Sequence, residues 1–321
     1  MAPKAEVFAP PGTAPKRRGA FVPGVLFVAT CFSTFFVGGG LQGEFSWKAG
    51  LQYASAIMGI LLIHEMGHYL TARRHGVPSS LPYFIPMPVP PVGTFGAVIL
   101  MRKPPESREA LLDIGVSGPL AGLCVALLVC FVGLCWSEVR PLASLEPGEM
   151  LEGNSLLYMM LKKLAHPEAS SADDILLHPV AWAGWLGLFV TSLNLLPVGQ
   201  LDGGHIIFAL FGERRHRSVA RVVHRAILFL GLIGLICNLT LLSDVAVDNL
   251  RAAGWLAWIT RGSGLLVWLV WAIVLKVVGG KHPPVVVGER PLSPTRRALG
   301  WIAIVVMVLT FTPVVLSPLP S

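Results

Sequence analysis

His64-Glu65-Met66-Gly67-His68 sets two imidazoles four residues apart with a carboxylate between them. On a helix, residues four apart lie one above the other, so His64 and His68 can aim ring nitrogens at one point. That spacing suits zinc. Glu65 sits one position round the helix from the first histidine, where a carboxylate could activate a water at the metal without being a ligand. The plainer alternative is a chance pentapeptide, or two histidines that only share hydrogen bonds. The setting favours chemistry: no charged residue lies between Ala49 and Ile63, and ionisable groups at membrane depth are rare unless they face a cavity and have a task.

Zinc held by two histidines and used for hydrolysis needs a third protein ligand and one open position. Asp202 is the candidate, in Asn194-Leu195-Leu196-Pro197-Val198-Gly199-Gln200-Leu201-Asp202-Gly203-Gly204. Pro197 lacks a donor and ends the helix before it, while the glycines let the chain turn tightly enough to present a carboxylate. Taken alone, Asp202 could equally cap a short helix starting at Gly203, and Asn194 could be an ordinary helix-end polar residue.

The elements that must bring these residues together are membrane helices. Of 321 residues, 54% are hydrophobic and 13% charged, against about a quarter charged in a soluble domain. Apolar runs predict an all-α polytopic membrane protein with about seven transmembrane helices, near residues 21–41, 50–70, 111–136, 179–196, 226–242, 262–278 and 299–316. Residues 1–19 read as a disordered basic leader, followed by a membrane-embedded core over 20–243 and a C-terminal pair of spans in 244–321. Residues 78–101 carry too many prolines for a spanning helix, and Gly93-Thr94-Phe95-Gly96-Ala97-Val98 favours extended backbone, so this stretch reads as a short re-entrant or interfacial β segment. The longest polar segment, 137–178, carries mostly acidic charge and reads as an outer loop; 213–225 reads as a basic inner segment.

Counting Lys and Arg on alternate sides puts 19 of the 25 in the leader, 73–108, 214–225 and 276–297. This asymmetry places those segments and the N-terminus on the cytoplasmic side. The second and fourth spans then both run inward, and deliver the histidine pair and Asp202 to the same depth. The formal charge of +7 follows from this topology and not from nucleic-acid binding, since no aromatic-interleaved soluble patch accompanies it. The five cysteines lie in apolar runs without a C-x-x-C pair, and read as packing residues.

These motifs together resemble the site-2 protease family of intramembrane zinc metalloproteases, over about residues 50–211. The resemblance implies one Zn2+ per chain held by His64, His68 and Asp202, Glu65 as general base, and Asn194 holding substrate or stabilising an oxyanion. It implies that the segment from Gly93, Thr94, Phe95 and Gly96 to Val98 pairs with an unwound substrate strand. The expected activity is hydrolysis of a peptide bond within or beside a transmembrane segment, in regulated intramembrane proteolysis. The expected substrate is a single-span or signal-peptide-like membrane protein, with trimming by a site-1-type protease beforehand compatible with that role. The expected location is a bacterial inner membrane. No PDZ insertion or nucleotide-sensing domain is recognisable.

Gly115-Val116-Ser117-Gly118 offers a rhomboid-like serine alternative, with His205 as a conceivable partner, although small residues at helix contacts are the commoner reading. A non-catalytic zinc-binding membrane protein or transporter is the other alternative. His216 and His224 read as part of a solvated basic face, and Glu109 and Asp113 as helix N-terminal charges.

Overall fold

The computed structural model describes residues 20–41, 43–101, 103–144, 150–170, 172–238, 263–278 and 291–318; the leader 1–19 lies outside them. The fold is mostly helical, with nine α-helices among the described residues. They are α1 Phe21–Gly39, α2 Trp47–Arg74, α3 Arg108–Cys135, α4 Leu156–Ala165, α5 Pro179–Asn194, α6 Asp202–Phe211, α7 Glu213–Asn238, α8 Ser263–Val278 and α9 Pro294–Thr310. Three are long and apolar enough to cross a membrane: α1, α3 and the stretch Glu213–Ile236 of α7. The helix starts are set by capping side chains that satisfy otherwise unpaired N–H groups. Ser46, Ser107, Ser155 and Ser293 each accept from the amide three residues on.

At the centre, α2 packs against α1, α3 and α5, and α3 packs against α5. Small residues let these helices approach backbone to backbone. At Gly184 of α5 the Cα meets the Cys130 backbone of α3, leaving no room for a Cβ. Ala126, Cys130, Ala181 and Ala183 are fully buried at or beside the same contact.

Three two-stranded antiparallel sheets complete the fold. β1 Tyr83–Pro86 and β2 Thr94–Val98 form a hairpin within the proline-rich stretch, with Phe84 opposite Ala97. The described residues of the polar segment 137–178, read from sequence as an outer loop, include strands: β3 Glu138–Pro141 pairs with β5 Asp173–Leu176, and β4 Met150–Glu152 pairs with β6 Leu316–Pro318 near the end of the described chain. Strands of three or four residues carry too little alternation to be legible beforehand. Between them, the buried Glu152 carboxylate is held by Lys162 and by the Tyr158 hydroxyl at 2.9 Å. Burial, with the Glu152 charge beside it, raises the Tyr158 pKa well above its ordinary value.

Packing corrects two further sequence expectations, the surroundings of His216 and the roles of Glu109 and Asp113. The segment 213–225 is the first half of one continuous helix, α7. His216 on it is buried against the Phe208 ring, 5.9 Å between centroids, and is not on a solvated face. Asp113 and Glu109 do more than charge a helix start. Asp113 accepts from Arg296 at 2.9–3.1 Å, lies 2.9 Å from His75 Nε2, and Glu109 pairs with Arg296 at 3.0 Å. They therefore tie the first turn of α9 to α3 and to the end of α2.

Gly184→Val should destabilise the α3–α5 contact by about 1–3 kcal/mol, the usual cost of overpacking. Gly59→Ala should be neutral, since a Cβ there meets nothing within 4 Å. Thermal unfolding of the two variants in detergent, compared with the parent, checks both.

Candidate metal centre

α2 carries His64 and His68 one turn apart, with imidazole centroids 4.9 Å apart and both Nε2 atoms turned to one point, 3.1 Å from each other. The second half of the centre arrives from α5. That helix ends at Asn194, the chain turns through residues 195–201, and α6 begins at Asp202. The return is so tight that a Cβ on Gly203 would collide with the Leu195 carbonyl. Leu201, not Asp202, is the N-cap of α6 and makes no side-chain cap bond. The Asp202 carboxylate is free to turn inward, where Oδ2 lies 3.5 Å from His64 Nε2 and 3.2 Å from His68 Nε2.

The donor set fits zinc on two grounds. His68 Nδ1 lies 2.8 Å from the Ile114 carbonyl oxygen. That oxygen can only accept, so Nδ1 carries the proton and Nε2 presents a lone pair to the centre. The second ground is metric. A tetrahedral ion with ligand bonds near 2.0–2.1 Å needs its ligand atoms about 3.3 Å apart. The three separations in this triangle are 3.1, 3.2 and 3.5 Å. Among the described residues this is the group of His, Cys, Asp and Glu side chains that could hold an ion.

The glycines of α3 make room for the imidazoles. A Cβ at position 118 would occupy the place of the His68 ring, and one at 122 would press on His64. The Ser117 hydroxyl, next to Gly118, donates to the Ile114 carbonyl at 2.9 Å. The small residues that suggested a serine nucleophile thus stand beside the histidine pair as packing space.

A cavity of about 320 Å³ opens on the centre, lined by His64, Glu65, His68, Asn194, Asp202 and His205 and, on its apolar side, by Ala97, Val98, Ile99 and Leu275. Glu65 is 7% exposed, and the Asn194 amide nitrogen lies 3.3 Å from His64 Nε2. The chain therefore brings together His64, Glu65, His68, Asn194 and Asp202. It does not bring Gly93, Thr94, Phe95 and Gly96 to the cavity. Gly93 accepts from Ser33 of α1 through its carbonyl, and Thr94 donates back to Ile85. Phe95 stacks on Trp271 of α8 at 6.4 Å. The same strand meets the cavity two or three residues later. Sequence reasoning missed Leu275 altogether, since nothing local marks one leucine of an apolar helix as a cavity wall.

Comparison with known proteins agrees with this centre. Residues 52–237 match the model of peptidase family M50. The chain belongs to that family, the site-2 protease family of zinc-dependent metalloproteases. It is 31% identical over 269 residues to probable zinc metalloprotease EGY1, chloroplastic, of Arabidopsis thaliana, covering 83% of this chain and 43% of that protein. It is 30% identical over 199 residues to probable zinc metalloprotease EGY2, chloroplastic, of the same plant, covering 62% and 34%. With probable zinc metalloprotease EGY3, chloroplastic, of Oryza sativa subsp. indica it shares 28% over 318 residues, covering 91% and 48%. The chain thus spans less than half the length of these relatives. These relatives are named as chloroplastic, which overturns the expectation of a bacterial inner membrane. A charge asymmetry reports a side of a membrane, not which membrane it is.

Gly118→Val, which removes no ligand, should displace the His68 ring and leave the purified protein with well under one zinc per chain. Gly59→Ala should keep its zinc. Elemental analysis of the two proteins by mass spectrometry checks the outcome.

Proposed function

We propose that this chain is an intramembrane zinc endopeptidase that cuts a peptide bond within or beside a transmembrane segment of a membrane-protein substrate, in regulated intramembrane proteolysis. The observation that carries the reading is the ligand triangle of His64, His68 and Asp202 with the Glu65 carboxylate buried in the same cavity. In this reading α1, α2, α3, α5, α7, α8 and α9 are seven membrane spans. The protease core covers residues 20–243, and the C-terminal pair of spans adds Leu275 to the cavity wall.

His64, His68 and Asp202 would hold the ion. When bound there, zinc supplies Lewis acidity toward the scissile carbonyl and toward water. Glu65 takes the proton of the attacking water as its oxygen bonds to the carbonyl carbon, then returns that proton to the amide nitrogen as the C–N bond breaks. Asn194 offers an amide N–H to the oxygen on which negative charge develops. A helical substrate carbonyl is already occupied by its own hydrogen bond, so the substrate must unwind. β2 has one partner strand among the described residues, and its far end lines the cavity. An edge strand so placed captures extended backbone by main-chain hydrogen bonds.

A second reading, a zinc-binding membrane protein or transporter without turnover, predicts metal without cleavage. Glu65→Gln separates the two. It should keep its zinc and lower cleavage of a single-span peptide in reconstituted vesicles by about 10²-fold or more, the scale of general acid–base catalysis. Turnover unchanged in the variant refutes the role of Glu65, and zinc without turnover in the parent protein favours the second reading. A glycine or proline introduced into the peptide span near the cut should speed cleavage by the parent, read by mass spectrometry of the products.

A further inference from the structure

Away from the metal centre, three arginines from three helices converge on one cavity of about 410 Å³. Arg108, Arg215 and Arg297 line it, with Phe211, Leu292 and Trp301. Among the described residues no carboxylate does. Of the described acids nearby, Glu109 and Asp113 pair with Arg296 and Glu213 with Arg217. Arg108 donates through Nε and Nη2 to the carbonyls of Ala209 and Leu210 at 2.6–3.2 Å, which leaves its Nη1 hydrogens without a partner among the described residues. Arg215 lies over the Phe211 ring at 5.9 Å, and that ring meets Trp301 edge-on at 5.7 Å.

Each of these arginines stands in the first turn of its helix, α3, α7 or α9. A helix start is the positive end of the peptide dipoles, where cations are disfavoured and anions stabilised. Three guanidinium groups gathered at three helix starts, with no carboxylate among the described lining residues, make a site for a polyoxygenated anion. The apolar half of the lining says which one. On α9, Trp301, Ile302, Val305 and Val308 are all about half exposed, a stripe at helical spacing suited to acyl chains, and a tryptophan at its end is typical of the level where headgroups begin.

We propose that this cavity binds the phosphate headgroup of an anionic lipid. Arg108, Arg215 and Arg297 take the phosphate, and Trp301, Phe211 and Leu292 pack against the glycerol and the first methylenes. Basic recesses between membrane helices are suited to such headgroups. The site lies at the end of α6 opposite to Asp202, so an occupying lipid braces the helix that carries the carboxylate of the metal centre.

The full chain, delipidated in neutral detergent, is titrated with phosphatidylglycerol, phosphatidylcholine and inorganic phosphate and read by native mass spectrometry. One saturable phosphatidylglycerol per chain is expected, weakened about tenfold or more in the Arg215→Gln, Arg297→Gln double variant. The control pair Arg217→Gln, Arg221→Gln removes the same charge from the exposed face of α7 and should bind as the parent does. Arg215→Lys, Arg297→Lys should recover part of the affinity, which distinguishes loss of the site from loss of the fold. Equal weakening in the Gln and control pairs, or equal binding of phosphatidylcholine, overturns the proposal. Displacement of phosphatidylglycerol by millimolar inorganic phosphate overturns the lipid assignment in favour of a soluble phosphate.

Discussion

A pair of imidazoles can stand between two helices in contact only where the second helix has no side chains to offer, and in this protein that place is the face of α3 at Gly118 and Gly122. The helices approach there closely enough for the Ile114 carbonyl to accept from His68 Nδ1. One packing contact thus fixes the position of the histidines, the tautomer of His68 and the direction of its free lone pair. Remove the space and the rings must turn out of the contact, taking the donor atoms with them.

The rest of the fold supplies what the α2–α3 contact lacks. α5 packs on the same two helices and ends at Asn194, so the turn that follows delivers Asp202 to the histidines and not to solvent. The β1–β2 hairpin walls the cavity on one side, and Leu275 of α8 contributes to its apolar lining. α9 is pinned to α3 by the ion pairs of Arg296 with Glu109 and Asp113. At the other end β6 joins β4, which fastens the end of the described chain to the polar segment. An ionisable cluster within a membrane protein is costly unless its groups satisfy one another or a metal, and this scaffold holds the groups in that relation.

Much of this was legible in the sequence because it is local. His64 and His68 share a helix, so a spacing of four fixes their geometry. Asp202 follows a proline and precedes two glycines, which is readable as a tight return. The proline-rich stretch excluded a helix and left a hairpin. What stayed hidden depends on contacts between residues distant in the chain. The small residues from Gly115 to Gly118 announced a close approach but not that its guests are the imidazoles. Arg296 meets Asp113 across 183 positions, and no pattern near either residue points to the other. His216 looks solvated among arginines, yet its turn of α7 faces Phe208. The hairpin register decides that Ala97, Val98 and Ile99 line the cavity while Gly93, Thr94, Phe95 and Gly96 do not, and register is set by pairing, not composition.

Zinc K-edge X-ray absorption on the full chain, purified in detergent with its metal, addresses the central claim most directly, since it reads the donor atoms themselves. The account predicts a first shell of nitrogen and oxygen only, at about 2.0–2.1 Å, with the outer-shell scattering of two imidazole rings. Sulfur in that shell at about 2.3 Å, or scattering from a single imidazole, would contradict it.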